Sequence, residues 1–512
     1  MKKKTLSAAI ALALSIPMTA FAADSAEMAE LKRMILEMKQ QHEQKIQQLE
    51  NRVQQAEARA KAAESKVEKT ESKVAAVEEK VQAKPQGGTG AVTSSSAFNP
   101  QISVILDGNY YQDDVDGEGT EILGMAEGIH HVHGGDHDHD HGHSHGGAEQ
   151  GFNFRSAEIS FSASVDNYFD ATAMLAVDSS GSVDLEEAWF QTRSLPNGLK
   201  IKGGKFLSDI GYANNQHPHY WDFTDQNLAY LSLLGDHGLS DTGVQLTWLP
   251  DWDHYTLFGL EVLQGDHERL GALAGEEAKH EAVEGTPLDE DDLGLTEGRD
   301  DPNLYTAFVK YSPDLGYDHA LQLGAWGAWA DLHQEIHGEY QGGPPPFADT
   351  PLHALEGDAW MWGLDAVYKY DGKGDYGQGD FKLQGEYLWE RKDLNVVYHE
   401  VASVIGQDRE FTQDGFYLQG LYGFAPRWQA GLRYDVTGWT NEKRSSVNPG
   451  ANSDWDESDR WTAAVSWKPT EYSQLRLQYS NADIMTDDGA QDFDYVYLQY
   501  MMSLGSHGAH KF

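Results

Sequence analysis

The 512-residue sequence predicts an all-β transmembrane barrel of about 16 antiparallel strands, preceded by an α-helical coiled coil. Three observations support this fold class. From Asn99 onward, segments of about ten residues alternate apolar and polar side chains, as the wall of a membrane barrel requires. The connections between these segments include short turns and long loops in a regular order. Ahead of them, residues 28–81 repeat apolar side chains every three or four positions without glycine or proline.

Residues 1–22 have the features of a secretory signal peptide. Three lysines precede a run of small and aliphatic residues, which ends in the cleavage sequence AFA at 20–22. No later stretch has the roughly 18 consecutive apolar residues of a spanning helix. We therefore expect the mature chain to begin at Ala23 and to reside in the bacterial cell outer membrane.

Residues 26–83 are predicted to form a periplasmic coiled coil. The apolar seam is narrow, so a lone charged helix would bury little of it, whereas paired helices would bury it fully. The core residues leave the number of helices open, and a homotrimer is our expectation. A coil of this length could reach toward peptidoglycan. Residues 84–98 are a Gly/Ser-rich linker between the coil and the barrel.

The barrel domain is assigned to residues 99–512, with sixteen predicted strands. They are 101–111, 153–166, 168–178, 183–193, 199–208, 240–249, 255–265, 303–312, 319–331, 358–370, 379–391, 414–424, 427–439, 459–468, 473–483 and 492–504. Connections after even-numbered strands are short, and every long connection follows an odd-numbered strand. Short turns at one end and long extracellular loops at the other are typical of an outer-membrane barrel. A soluble β-sandwich would not require this regular order.

The composition excludes several classes of function. A formal net charge of −44 disfavours nucleic acid and other anionic partners. The chain has no cysteine, so disulfides and thiolate metal sites are excluded. It lacks the Gly-x-Ser-x-Gly, phosphate-loop and His-Glu-x-x-His motifs. We expect no enzymatic activity and no tightly bound cofactor.

A histidine-rich run lies in the first long loop, 112–152. Its candidate metal ligands are His130, His131, His133, His137, His139, His141, His143 and His145, with Asp136, Asp138 and Asp140. Imidazole and carboxylate groups on a glycine-rich segment suit zinc or another divalent metal ion. A solvated loop without an ion, or a local pH sensor, is the alternative.

Two further loops carry candidate functional residues. The loop 209–239 is predicted to enter the bore and to form a pore constriction from His217, His219, Asp222, Asp225, Asp236 and His237. The alternative is an ordinary extracellular loop with surface histidines. The loop 266–302 has thirteen acidic and three basic residues. It predicts a negative mouth that concentrates cations, or else a solvated face beside lipopolysaccharide or a site of calcium or magnesium bridging.

The coil, the linker and the sixteen-strand barrel together resemble the trimeric porin superfamily and, within it, the phosphate-selective porin group. The ending MSLGSHGAHKF and the His-rich first loop resemble proteins labelled zinc-regulated TonB-dependent outer-membrane receptors. The resemblance implies contact with lipopolysaccharide, assembly by the barrel-assembly machinery, and a homotrimer. Two departures argue against an energised receptor and against phosphate selectivity. No plug domain precedes the first strand, and the chain is strongly acidic.

These observations predict a porin-like channel for small solutes that facilitates uptake of divalent metal ions, with zinc as the first candidate. The histidine run would capture the ion, and the constriction loop would pass it to the lumen. One alternative is a general or sugar porin with an incidental histidine loop. Another is a structural tether between the outer membrane and the cell wall.

Overall fold

The computed structural model describes residues 100–126, 148–265, 267, 269–298, 301–342, 345–346, 350–486 and 489–505. The predicted signal peptide, coiled coil and linker lie outside these residues. So do the histidine-rich run and the last seven residues of the chain.

Antiparallel strands make up most of the described chain. They are β1 (Gln101–Asp113), β2 (Gly151–Ser164), β3 (Phe169–Val177), β4 (Val183–Thr192), β5 (Leu199–Leu207), β6 (Ser240–Trp248), β7 (Tyr255–Leu263), β8 (Leu304–Ser312), β9 (His319–His337), β10 (His353–Tyr370), β11 (Phe381–His399), β12 (Asp408–Ala425), β13 (Trp428–Arg444), β14 (Ser453–Asp454), β15 (Ser458–Thr470), β16 (Ser473–Thr486) and β17 (Gly489–Gly505). Three α-helices lie in the long loops: α1 (Gly119–Gly124), α2 (Leu228–Leu234) and α3 (Glu276–Val283).

The strands close into a barrel. Each strand pairs with its neighbours in sequence, and β1 pairs with β17, so the sheet has no open edge. The two-residue strand β14 pairs only with the end of β13, which also pairs directly with β15. The wall therefore has sixteen strands, as predicted, and every predicted segment overlaps one of them.

The strands β9 to β13 are longer than the sequence alternation predicts. Strand β9 continues to His337 and β10 begins at His353, beyond the predicted ends at 331 and 358. The added residues keep their cross-strand pairing up to His337 and His353 themselves. Pairing needs no apolar face, so a strand can continue past the point where the apolar alternation stops.

The two faces of the wall are chemically different. Leu432 and Trp461 lie on the outer face with 63% and 57% of their surface exposed, whereas the neighbouring Arg433 and Arg460 point inward and are buried. An apolar exterior around a polar interior is the arrangement of a membrane-spanning barrel. Within the described residues, no helix has the length and apolar character needed to cross a bilayer.

The interior of the barrel is partly filled by its own chain. Residues 208–239, here called the lumen loop, connect β5 to β6. Tyr230, Leu233 and Leu234 of α2 are fully buried in a cluster with inward-facing residues of the wall, among them Trp326 and Met361. The sequence analysis predicts that this loop enters the bore, and the structure places an apolar core inside one part of the barrel.

Candidate functional site

The lumen loop is closed at its base by one asparagine. The Asn214 side-chain amide donates to the carbonyl groups of Ser208 (2.8 Å) and Leu239 (2.9 Å). Its carbonyl accepts from the Leu239 amide at 2.7 Å. Residues 25 positions apart are thus joined at the wall, and the segment between them projects into the lumen.

Glu386, on β11, holds both arms of the loop. Its carboxylate accepts from the amides of Tyr212 (3.0 Å) and Ala213 (2.8 Å) and from the Tyr230 hydroxyl (2.9 Å). Gly211 has a φ of +58°, and a Cβ there would meet Glu386 and Tyr230. Glycine is required at this position because the backbone comes so close to the carboxylate.

Asp225 joins the loop to the far strands of the ring. Its carboxylate accepts from Arg433 (2.7 Å), Arg460 (3.1 Å), Gln478 (2.9 Å) and Tyr495 (2.6 Å). Arg460 also donates to the Gln226 carbonyl and pairs with Asp435, whose carboxylate accepts from the Leu228 amide at the start of α2. The charges at this buried junction are therefore opposed and hydrogen-bonded, which is the condition under which buried ions are tolerated.

Asp222 makes a second anchor of the same kind. It accepts from Lys382 (2.7 Å) and from Gln419 (2.8 Å), and Arg476 donates to the neighbouring Trp221 carbonyl. Burial raises the pKa of the Asp222 carboxyl, but the charge of Lys382 outweighs it and holds the pKa below its usual range. Lys382, Arg433, Arg460 and Arg476 together are called the basic wall below.

The histidines of the loop meet a different set of side chains. His217 lies 3.2 Å from Glu186 through Nδ1 and 2.6 Å from Glu187 through Nε2. His219 Nδ1 lies 2.6 Å from Glu158 Oε2. The two imidazole rings are parallel, with their centroids 5.9 Å apart. Glu158 of β2 and Glu186 and Glu187 of β4 are called the acidic wall below.

A β-bulge brings two successive glutamates to one face of β4. Met174 of β3 pairs with Glu187 and Leu175 pairs with Leu185, so Glu186 has no partner in the register. In an uninterrupted strand, adjacent side chains point to opposite faces. The extra residue of a bulge changes that direction, and both carboxylates reach His217.

The acidic wall makes its surroundings favourable to positive charge. Burial alone lowers the pKa of His217, but the hydrogen bonds and charges of Glu186 and Glu187 outweigh it and raise the pKa to about 10. Glu158, Glu186 and His217 also present ligand atoms that all lie within 4.8 Å of one another, a spacing that could hold a metal ion. The arrangement can therefore take up a cation.

The predicted constriction residues fall into two groups. His217, His219, Asp222 and Asp225 contact the inner wall of the barrel. Asp236 and His237 lie exposed on the turn after α2. The predicted metal ligands at 130–145 lie outside the described residues.

The sequence analysis missed the three glutamates of the acidic wall and the role of Arg460. A signal for Glu186 and Glu187 was present, because two adjacent glutamates interrupt the alternation of β4. Nothing local distinguishes Glu158 or Arg460 from other inward-facing polar residues.

Comparison with known proteins places the chain in a family. A protein of Aquifex aeolicus (strain VF5), described as an uncharacterized protein, is 33% identical over 427 residues, which cover 82% of this chain and 81% of that protein. The chain belongs to the same family as this Aquifex aeolicus protein. No family model matches.

Solved structures that are similar to the chain include outer-membrane channels. The channel DcaP of Acinetobacter baumannii is 14% identical with a TM-score of 0.46, over 81% of this chain and 100% of that chain. An anion-selective porin from Comamonas acidovorans is 10% identical with a TM-score of 0.43, over 79% and 99%. These identities and TM-scores are too low to assign the activities of those proteins to this chain.

Proposed function

We propose that the protein is an outer-membrane, porin-like channel for small hydrophilic solutes, and that it facilitates uptake of divalent metal ions, with zinc first. The proposal is carried by one observation: the lumen loop is held inside the ring with His217 and His219 against the three glutamates of the acidic wall. Rings of charged side chains at a constriction select ions of the opposite charge.

The acidic loop before β8 supports the preference for cations. Glu281, Glu284, Asp289, Asp291 and Asp292 are exposed on this loop. Its apolar residues Val283 and Leu293 pack against Leu352 and Ala354, which joins the loop to β10. A fixed cluster of exposed carboxylates raises the local concentration of cations, and more so at low salt.

The histidine-rich run completes the proposed route at its outer end. Its imidazoles would capture zinc reversibly at neutral pH and release it below about pH 6, where imidazole is protonated. The ion then passes the acidic loop and reaches the constriction. The protein is proposed to act as a homotrimer without catalysis, with the coiled coil on the periplasmic side.

A general or sugar porin is the first alternative. Tryptophans that line a lumen can provide a surface for sugar rings. Trp329, Trp360 and Trp362 are instead exposed, each more than a third, and only Trp326 of this group points inward, where it packs in the core of the lumen loop. This distribution favours ion passage over a sugar path.

Conductance in planar bilayers tests the proposal. We expect cation-selective steps that micromolar zinc modulates at neutral pH and does not modulate at about pH 5. His217→Ala with His219→Ala should reduce zinc flux without lowering barrel stability, whereas His254→Ala with His319→Ala, at exposed positions, should not. Steps indifferent to zinc would favour a general porin, and a lack of conductance would favour the structural tether.

A further inference from the structure

Three buried polar atoms lie where the acidic wall meets the lumen loop. They are Glu158 Oε2, Glu186 Oε2 and His219 Nδ1, and none has a hydrogen-bond partner among the described residues. The contact of 2.6 Å between His219 and Glu158 has the distance of a hydrogen bond but not its angles. Buried polar groups in proteins are almost always hydrogen-bonded or bound to an ion, so these atoms require an explanation.

The orientation of His217 adds a fourth atom. Its Nε2 lies 2.6 Å from Glu187 Oε1, and the other oxygen of Glu187 accepts from Trp189 Nε1 at 2.6 Å. Glu187 therefore holds the imidazole as an Nε2–H donor, and Nδ1 becomes a metal ligand when the ion displaces its proton. That atom faces Glu186 at 3.2 Å. Metal-bound histidines commonly donate their second nitrogen to a carboxylate in this manner.

We propose that Glu158, Glu186 and His217 Nδ1 form a three-ligand centre for one divalent transition-metal ion, with His219 in contact with the Glu158 carboxylate. Glu187 is the positioning residue of this centre. The bound ion also ties the lumen loop to the acidic wall. Zinc is the representative ion, and the choice of zinc rests on the proposed function.

The chemistry of the ligand set fits such an ion. One imidazole nitrogen and two carboxylate oxygens are ligands that zinc binds, and three protein ligands leave the fourth position of the tetrahedral ion open. The charges of two carboxylates balance the charge of a divalent ion. Arg155 is a competing cation whose charge acts on Glu158, but its guanidinium donates to the Thr224 carbonyl at 2.8 Å and lies 3.5 Å from Asp107.

Glu–His ion pairs without a metal are the other explanation for the cluster. Ion pairs of buried groups persist when hydrogen bonds satisfy the remaining lone pairs. Asp225 shows that condition in the same loop, with four donors on one carboxylate. The acidic wall does not meet it, because one oxygen each of Glu158 and Glu186 has no donor in the described part of the chain.

Zinc binding to the full-length protein in detergent tests the centre. In the parent protein for this test, the eight histidines between His130 and His145 are replaced by glutamine, so that the histidine run cannot contribute. Isothermal titration at neutral pH should show one zinc ion per chain. X-ray absorption of the loaded protein should show nitrogen and oxygen ligands at about 2.0–2.2 Å.

Substitutions identify the ligands. His217→Ala with His219→Ala should abolish the single site, and His254→Ala with His319→Ala should preserve it. Glu186→Gln keeps the size of the side chain. It replaces the alanine variant in this test if the alanine variant loses the heat-dependent electrophoretic shift that marks a folded barrel. No stoichiometric binding in the parent, or binding unchanged in both His217/His219 and Glu186 variants, would overturn the centre.

The outcomes for the centre and for the channel are separable. Cation-selective conductance without zinc binding would overturn the centre and leave the channel function standing. One bound zinc ion without conductance would support the centre and overturn the channel function.

Discussion

Two neighbouring segments of the lumen loop face opposite charges. The segment with His217 and His219 lies against the acidic wall, and the segment with Asp222 and Asp225 lies against the basic wall. Each contact joins groups of opposite sign. The difference lies in completeness: Asp225 accepts from four donors, whereas the acidic wall has carboxylate oxygens with no donor among the described residues.

This difference distinguishes a contact that anchors the loop from a contact that can bind a ligand. At the basic wall, the carboxylates of Asp222, Asp225 and Asp435 each accept from two or more donors, and the result is a fixed anchor for the loop. At the acidic wall, three glutamates face two histidines, and the surplus of negative charge favours a further cation. The same loop thus has one segment suited to position it and a neighbouring segment suited to take a ligand.

Removing the basic anchor should have the largest effect. Arg460→Ala leaves the buried Asp225 and Asp435 carboxylates short of a partner, so we expect the free energy of unfolding to fall by about 3–5 kcal/mol. Urea unfolding in lipid vesicles measures it, and single-channel conductance should rise as the loop is released. Arg444→Ala, which breaks exposed ion pairs, is the control and should change little. Equal stability of the two variants would refute the anchor role.

Zinc should stabilise the barrel through the segment of the lumen loop that contacts the acidic wall. At a zinc concentration of about 100 times the dissociation constant, binding to the folded state alone adds about 2.7 kcal/mol to the free energy of unfolding. The chelator EDTA should remove this increment. Unfolding of the parent without the histidine run, with zinc and with EDTA, measures the shift. The increment should be absent in His217→Ala/His219→Ala and retained in Asp222→Asn; its retention in the first variant would contradict the proposed centre.

Glu187→Gln should have a smaller effect, because Glu187 orients a ligand without being one. Loss of the carboxylate behind His217 should weaken zinc binding about 10- to 100-fold. Isothermal titration gives the affinity. Glu356→Gln, which removes a carboxylate bonded to Thr296 in the acidic loop, is the matched control. A similar loss in both variants would indicate a general electrostatic effect instead of positioning.

The basic anchor should be the least sensitive to acid. Burial raises the pKa of Asp225 and of Asp222, but the basic wall outweighs it and lowers both below the ordinary 3.8. A carboxylate with a lowered pKa stabilises the folded state fully above the pKa of the unfolded chain and loses that contribution only as pH falls through the folded pKa. Zinc-free single-channel conductance should therefore stay constant from pH 7 to about pH 4. An increase that begins near pH 6 would show that the basic wall is not the contact that limits movement of the loop.

Much of the fold could be predicted because its rules are local. Period-two alternation located all sixteen strands of the wall, and the order of short and long connections assigned the ends of the barrel. In the structure, the same alternation puts Trp461 on the outer face and Arg433 on the inner face. The signal peptide, the coiled coil and zinc binding by the histidine run stay predictions.

The site was only half predictable. His217, His219, Asp222 and Asp225 could be recognised in the sequence as titratable residues of the loop that was predicted to enter the bore. Their partners did not, because they lie far away in sequence: 61 positions separate His219 from Glu158, and 235 separate Asp225 from Arg460. The β-bulge at Glu186 depends on how β3 and β4 pair, and no periodic pattern in the sequence predicts it.

The sequence by itself determined the strands, the two faces of the wall and the loop that could enter it, since each follows from the spacing of apolar and polar side chains along a short segment. Only the tertiary structure decided which wall each part of the loop meets. Closure of the ring brings β2 and β4 to the histidines and β11, β13 and β15 to the aspartates. Charge then selects the contacts, because a buried group must meet an opposite charge or a donor to remain inside the barrel.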